Sequence, residues 1–316
     1  MKKISVLILL NIAAAATVGL MVGLLYKFYG NSGSERLRSR IEAAVDSVDA
    51  RIGIAAILPD GEEIEVTGGL MAGLGEDSSD RFPMLSVFKF HQALAVCGRL
   101  RDAGTPLSDE ISVNETQLPE GTWSPLRDEF PLGGEFSWAE LLEYTLVYSD
   151  NNACDILFGL TGGPSWTDSY IRSLGLNDFN IECSEKMMHE NPADCMKNWC
   201  TPLSAAMLLE KFYDNRDADE YSRFIWNTMS GCRTGAGRIP KYIREQSAVI
   251  VHKTGTGDMT ADGRIMAVND IGTVILPDGR HFSLTVFITD AGCSMEECEE
   301  TIAVIARIVM EYVMKS

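Results

Sequence analysis

The feature that most constrains the fold is a Leu-Pro-Asp-Gly turn that occurs twice, once near each end of the chain. It reads Leu58-Pro59-Asp60-Gly61 and again Leu276-Pro277-Asp278-Gly279. The first copy joins the β-like runs 51–57 and 62–66, the second the runs 272–275 and 281–289. Turn residues between two such runs signal a hairpin. A further β-like run, 248–252, ends in Lys253-Thr254-Gly255. Outside these strands lie two helical patterns. Leu37, Ile41, Ala44 and Val45 repeat at helical spacing in 35–48, and Ile302, Ile305, Ala306, Val309 and Val313 do so in 295–314. From about 82 to about 240 the chain is mainly helical. Strands at both ends with helices between them predict an α+β fold: an antiparallel sheet from parts 35–70 and 245–316, covered by the terminal helices, with a helical lobe inserted in the middle.

Residues 1–30 stand apart. Lys2 and Lys3 precede a 22-residue run, Ile4 to Leu25, that carries no charge and is long enough to span about 30 Å of hydrocarbon as a helix. The leading lysines predict export of the rest of the chain. A cleaved signal peptide and an uncleaved inner-membrane anchor are the two readings. The length of the run and the lack of a small-x-small site before Tyr26 favour the anchor. The folded, periplasmic part is then 31–316, one domain expected to be a monomer. A formal net charge of −18, spread along the chain, excludes nucleic acid as a partner. Eight cysteines match no zinc spacing.

The chemistry is expected to centre on Ser86. Pro83 places a helix start just before it, and Lys89 follows three residues later on the same face. A serine hydroxyl is a poor nucleophile unless a base or cation activates it. Lys89 among Leu85, Val87, Phe88 and Phe90 is a buried cation in need of a partner. A serine that merely caps a core helix is the plain alternative. Ser149-Asp150-Asn151, between two apolar-periodic segments, reads either as a polar turn capping the next helix or as part of a site.

Ser86-x-x-Lys89, Ser149-Asp150-Asn151 and Lys253-Thr254-Gly255 occur in the order that marks serine β-lactamases and penicillin-binding proteins. From about residue 35 to the C-terminus the chain resembles a class A serine β-lactamase. The resemblance implies a five-stranded sheet, an all-α lobe and an active site between them. It makes Ser86 the acylated nucleophile and Lys89 the carrier of its proton. Ser149 protonates the leaving nitrogen, and Asn151 binds the substrate's side-chain amide. Lys253, Thr254 and Thr256 bind the substrate carboxylate, and Gly255 allows close approach. The N–H groups of Ser86 and Thr256 form the oxyanion hole. Arg238, 15 residues before Lys253, resembles an arginine brought to the same carboxylate, or is a surface residue. Trp123 is either the aromatic on the cleft rim or a core residue.

Hydrolysis of an acyl-enzyme needs a further base. The usual E-x-x-L-N pattern is absent, but Glu185 lies at the family distance, 36 residues after Ser149. Glu182 and Glu190 are its rivals. His189 falls where the partner of the hydrolytic water is expected. Cys183 and Asn198 stand where an arginine–aspartate pair usually pins this loop. These departures resemble the divergent extended-spectrum branch that includes Bacteroides enzymes. A disulfide from Cys183 to Cys195 or Cys200 is one expected replacement for the missing ion pair. The resemblance implies a small-molecule β-lactam substrate, penicillin or cephalosporin, and no metal or organic cofactor. A membrane-anchored D,D-peptidase or penicillin-binding protein, and a β-lactam sensor, share the motifs and are the competing readings.

Overall fold

The computed structural model describes residues 33–71, 80–246 and 248–316. The expected signal or anchor segment, 1–30, lies outside them. Among the described residues no helix is long and apolar enough to cross a membrane.

Five strands form one antiparallel sheet: β1 (Arg51–Ile57), β2 (Glu63–Gly68), β8 (Val249–Thr256), β9 (Ile265–Ile275) and β10 (His281–Ala291). Their order is β2-β1-β10-β9-β8. Both Leu-Pro-Asp-Gly segments make their hairpins, pairing Ile57 with Glu63 and Ile275 with His281. The link between the two hairpins is β1 against β10, Ile54 opposite Val286. The Lys-Thr-Gly strand β8 is left at the sheet edge, beside β9.

Strand alternation divides the core in two. Ile52, Ile54, Leu284, Val286 and Ile288 point to one face, where Leu37 and Ile41 of helix Gly33–Val45 and Ile302, Ile305 and Val309 of helix Met295–Lys315 cover them. Val251, Ala267, Ile271 and Phe287 face the other way, into the helical lobe. The lobe seats closely because Gly53 has no side chain. A Cβ there would lie 2.3 Å from the Phe82 ring.

Two small sheets escape the hydrophobic pattern. One pairs β4 (Glu110–Asn114) with β5 (Gly133–Ser137); the other joins β3 (Phe82–Pro83), β7 (Trp199–Cys200) and β6 (Phe179–Asn180). The second matters for function. Through β7 it fastens the segment before Ser86 to the far end of the loop that carries Glu185.

Candidate active site

Ser86 lies in a 3-10 turn, Leu85–Val87, that runs directly into helix Phe88–Ala103. Two elements clamp this turn from outside. The Asn269 side chain on β9 donates to Pro83 O at 2.8 Å and Met84 O at 3.2 Å, and Met84 N donates to Asn198 O at 2.8 Å. Gly255 permits the approach of β8, since a Cβ there would sit 2.4 Å from Met84 O. The clamps hold Leu85 at φ 47°, and Ser149 sits at φ 59°. A left-handed backbone at a non-glycine residue costs about 1–3 kcal/mol and persists only where the surroundings impose it.

Lys89 is fully buried and is the hub of the site. Its Nζ lies 2.9 Å from Glu185 Oε1 and donates to Ser149 O at 2.7 Å and Asn151 Oδ1 at 2.5 Å. The Ser86 hydroxyl points to the same Glu185 oxygen, at 3.4 Å. Lys253, also fully buried, donates to Ser149 Oγ and to Thr254 O, each at 2.9 Å. Burial, and then the Lys89 charge, pulls the Lys253 ammonium down to about 7. Ser86, Lys89, Ser149, Lys253 and Glu185 thus meet in one cluster. Glu182 and Glu190, the other candidate bases, are exposed, and their ion pairs go to the surface lysines Lys197 and Lys186.

Asp150 does the capping work expected of it. Its buried carboxylate accepts from Ala153 N at the start of helix Asn151–Thr161, and from Leu126 N and Ser124 Oγ. Asn151 donates through Nδ2 to Thr122 Oγ1 at 2.7 Å. Trp123 is 62% exposed, with its indole N–H on Tyr148 O at 2.9 Å. It is a rim residue and not a core one.

Arg238 is buried, so the surface alternative is set aside. Its guanidinium donates to Gly255 O, Asn269 O and Glu299, and one Nη reaches Thr256 Oγ1 at 2.8 Å. Arg238 therefore acts on the Thr256 hydroxyl from below the strand. Thr254 Oγ1 lies 2.6 Å from Thr234 Oγ1.

The expected disulfide is corrected by the structure. All eight cysteines are free thiols. The Asn198 side-chain amide does the pinning instead: Oδ1 accepts from Glu182 N at 2.8 Å and Cys183 N at 2.9 Å, and Nδ2 donates to Cys183 O at 2.8 Å. Asp155 supplies a second clamp that sequence reasoning missed. Its two oxygens accept from Glu185 N at 2.9 Å and Lys186 N at 2.7 Å, at the start of helix Glu185–Glu190. Burial raises its pKa to about 6. The available signal was helical spacing, since Asp155 follows Asn151 by one turn on the same face. His189 shares a helix face with Glu185, is exposed, and has its ring near Gly121 on the cleft rim.

Burying two lysines around two serines is costly unless their charges are used. The use that fits is activation of a hydroxyl held between a carboxylate and an ammonium, which places the protein among the active-serine hydrolases. Comparison with known proteins narrows this: the profile of the beta-lactamase enzyme family matches residues 36–313, and the chain belongs to that family. A beta-lactamase of Bacteroides uniformis is 34% identical over 87% of this chain and 90% of its own length. The extended-spectrum beta-lactamase PER-1 of Pseudomonas aeruginosa is 32% identical over 98% of this chain and 97% of its own. Among solved structures, a class A beta-lactamase from Bacteroides cellulosilyticus superposes with a TM-score of 0.82 at 31% identity, covering 90% of this chain and 99% of that one. The chain is a serine β-lactamase of a divergent class A kind, an enzyme of β-lactam hydrolysis and antibiotic resistance.

Proposed function

We propose that the chain opens the ring of penicillins and cephalosporins through an acyl-enzyme on Ser86 that Glu185 then hydrolyses. The observation that carries this reading is the shared position of Glu185 Oε1, 3.4 Å from Ser86 Oγ and 2.9 Å from Lys89 Nζ. Lys89 carries the Ser86 proton as Oγ attacks the lactam carbonyl and relays it towards Ser149, so that Glu185 is left free for the second half. The N–H groups of Ser86 and Thr256 receive the oxyanion; one such donor contributes roughly 3 kcal/mol. As the C–N bond breaks, Ser149 passes its proton to the nitrogen. Lys253 donates to Ser149 Oγ, which leaves the hydroxyl's own hydrogen free for that transfer.

Lys253, Thr254 and Thr256 bind the substrate carboxylate. Arg238 occupies a lone pair of the Thr256 hydroxyl and so turns its proton outward. Asn151 meets the side-chain amide, and Trp123 closes the rim. In the second half, Glu185 takes a proton from water, which attacks the ester and frees Ser86. His189, one helical turn beyond Glu185, orients that water. On the strength of Lys2, Lys3 and the uncharged run after them, the enzyme works outside the inner membrane.

The test is turnover of a chromogenic cephalosporin by wild type and by Glu185→Ala. Many turnovers by wild type, with the mutant trapped as a Ser86 adduct in the mass spectrum, are expected. A wild type that stops after one equivalent, or a mutant that stays fully active, contradicts the assignment.

A further inference from the structure

A path of close contacts leads away from the carboxylate subsite. Thr254 Oγ1 meets Thr234 Oγ1 at 2.6 Å, and Thr234 Oγ1 meets Cys232 Sγ at 3.4 Å. Cys232 lines a cavity of about 700 Å³ together with Gly231, Arg233, Thr234, Arg244 and Val249. The thiol also comes under the influence of His252, the residue before Lys253 on β8. His252 Nδ1 is held by Asp270 at 3.0 and 3.2 Å, and both residues are at least 99% buried. His252 Nε2 makes no hydrogen bond of good geometry. No step of the acyl transfer uses Cys232, His252 or Asp270.

A thiol beside an imidazole that a carboxylate orients is the arrangement that activates cysteine. We propose that Cys232 is a modification site for small anionic soft electrophiles, which enter the cavity past Arg233 and Arg244, and that its modification disables the adjoining carboxylate subsite. The second clause rests on the proposed function; the first does not. Burial resists ionisation of the thiol, yet His252 and then Lys253 and Thr234 bring it to about 7. Burial likewise opposes charge on His252, but Asp270 and Cys232 raise it to about 10. The other deeply buried thiols are the opposite case: burial drives Cys97 up to about 12 and raises Cys154 and Cys200 too. The step balances simply. With a haloacetate, the S–C bond forms, the C–halogen bond breaks, halide leaves with the electron pair, and the thiol proton stays on His252. The added group then pushes Thr234 off Thr254.

The test treats the full chain with iodoacetate and, separately, iodoacetamide under native conditions. Alkylation of each cysteine is followed by peptide mapping and cephalosporin turnover is read in parallel. Cys232 is expected to react on the order of tenfold faster than Cys97, Cys154 and Cys200. Iodoacetate should gain over iodoacetamide relative to free cysteine, and activity should fall in step with labelling of Cys232. Cys232→Ser should keep its activity through the treatment. Labelling of Cys232 no faster than Cys97 and Cys200 overturns the site. No gain for iodoacetate overturns its anion preference, and labelling without loss of turnover overturns the link to the subsite. If Cys232→Ser does not fold, the wild-type labelling rates decide alone. If the untreated chain hydrolyses no cephalosporin, the proposed function has failed, and the labelling rates still judge the site.

Discussion

Around Ser86 the cleft is held by the sheet; around Glu185, 99 residues further along, it is held by two polar side chains. The Ser86 turn is fastened by Asn269 and by the close passage of β8 at Gly255, and its helix runs through the core of the lobe. The Glu185 loop has little of this. Asn198 ties its two ends together with three hydrogen bonds, and Asp155 caps the short helix that begins with Glu185. On the proposed mechanism, the groups that form the acyl-enzyme are set by packing, and the group that breaks it down is set by an amide and a carboxylate. The two halves of the reaction should therefore be separable by mutation.

The largest effect should come where the halves meet. Lys89→Met removes the cation shared by Ser149 O, Asn151 and Glu185, and should lower kcat/KM by roughly 10³-fold, with acylation itself the slowed step. Rapid acylation in this variant would make Lys89 a structural residue only. Next comes the loop clamp. Asn198→Ala leaves two N–H groups and one C=O without partners and should lower stability by about 3 kcal/mol in urea unfolding. An unchanged midpoint would mean that the loop does not depend on Asn198.

The Lys253 side sharpens the comparison through pH. Its folded pKa, about 7, is below the 10.5 of the free side chain. Between these values the unfolded chain holds more protons at this position, so the cost of burying Lys253 is greatest below pH 7 and fades towards 10.5. In the free enzyme the ammonium is lost above about 7, so KM for an anionic β-lactam should climb from pH 7 to 9. A bound carboxylate holds the proton on, so the limb in kcat should lie at higher pH than the limb in kcat/KM. Coincident limbs would remove Lys253 from carboxylate binding. The smallest effect belongs to the rim. Trp123→Ala should raise KM by about two- to fivefold and shift stability by less than about 0.5 kcal/mol. A large loss of stability would show that Trp123 packs as a core residue.

Much of this was legible from residue pattern. The Leu-Pro-Asp-Gly turns located both hairpins, and the three short motifs located Ser86, Lys89, Ser149 and Lys253, because each lies on an element with a clear period or a turn residue. Glu185 was reached by spacing, without its usual neighbours. Asn198 was found as a position, but the pin of the loop was expected from a disulfide of Cys183 with Cys195 or Cys200 and not from the Asn198 amide. An amide that satisfies both a C=O and two N–H groups depends on a contact across 15 residues that no local pattern reports. Asp155 was missed for the same reason, its contacts spanning 30 and 31 residues. The two-residue strands β3, β6 and β7 are too short to carry a period. The burial of Arg238 beneath β8 likewise follows from packing, since as a sequence element it is one arginine in a glycine-rich stretch.

The central claim, that packing sets acylation and polar clamps set deacylation, is tested most directly by stopped-flow kinetics of Asp155→Asn with a chromogenic cephalosporin. Asparagine keeps one acceptor for the Glu185 helix and turns an N–H towards the other donor. A burst of one equivalent is expected, with acylation within about twofold of wild type and deacylation slowed by roughly tenfold or more. Equal slowing of both steps, or no burst, would mean that the loop and the Ser86 turn act as one unit and would contradict the division.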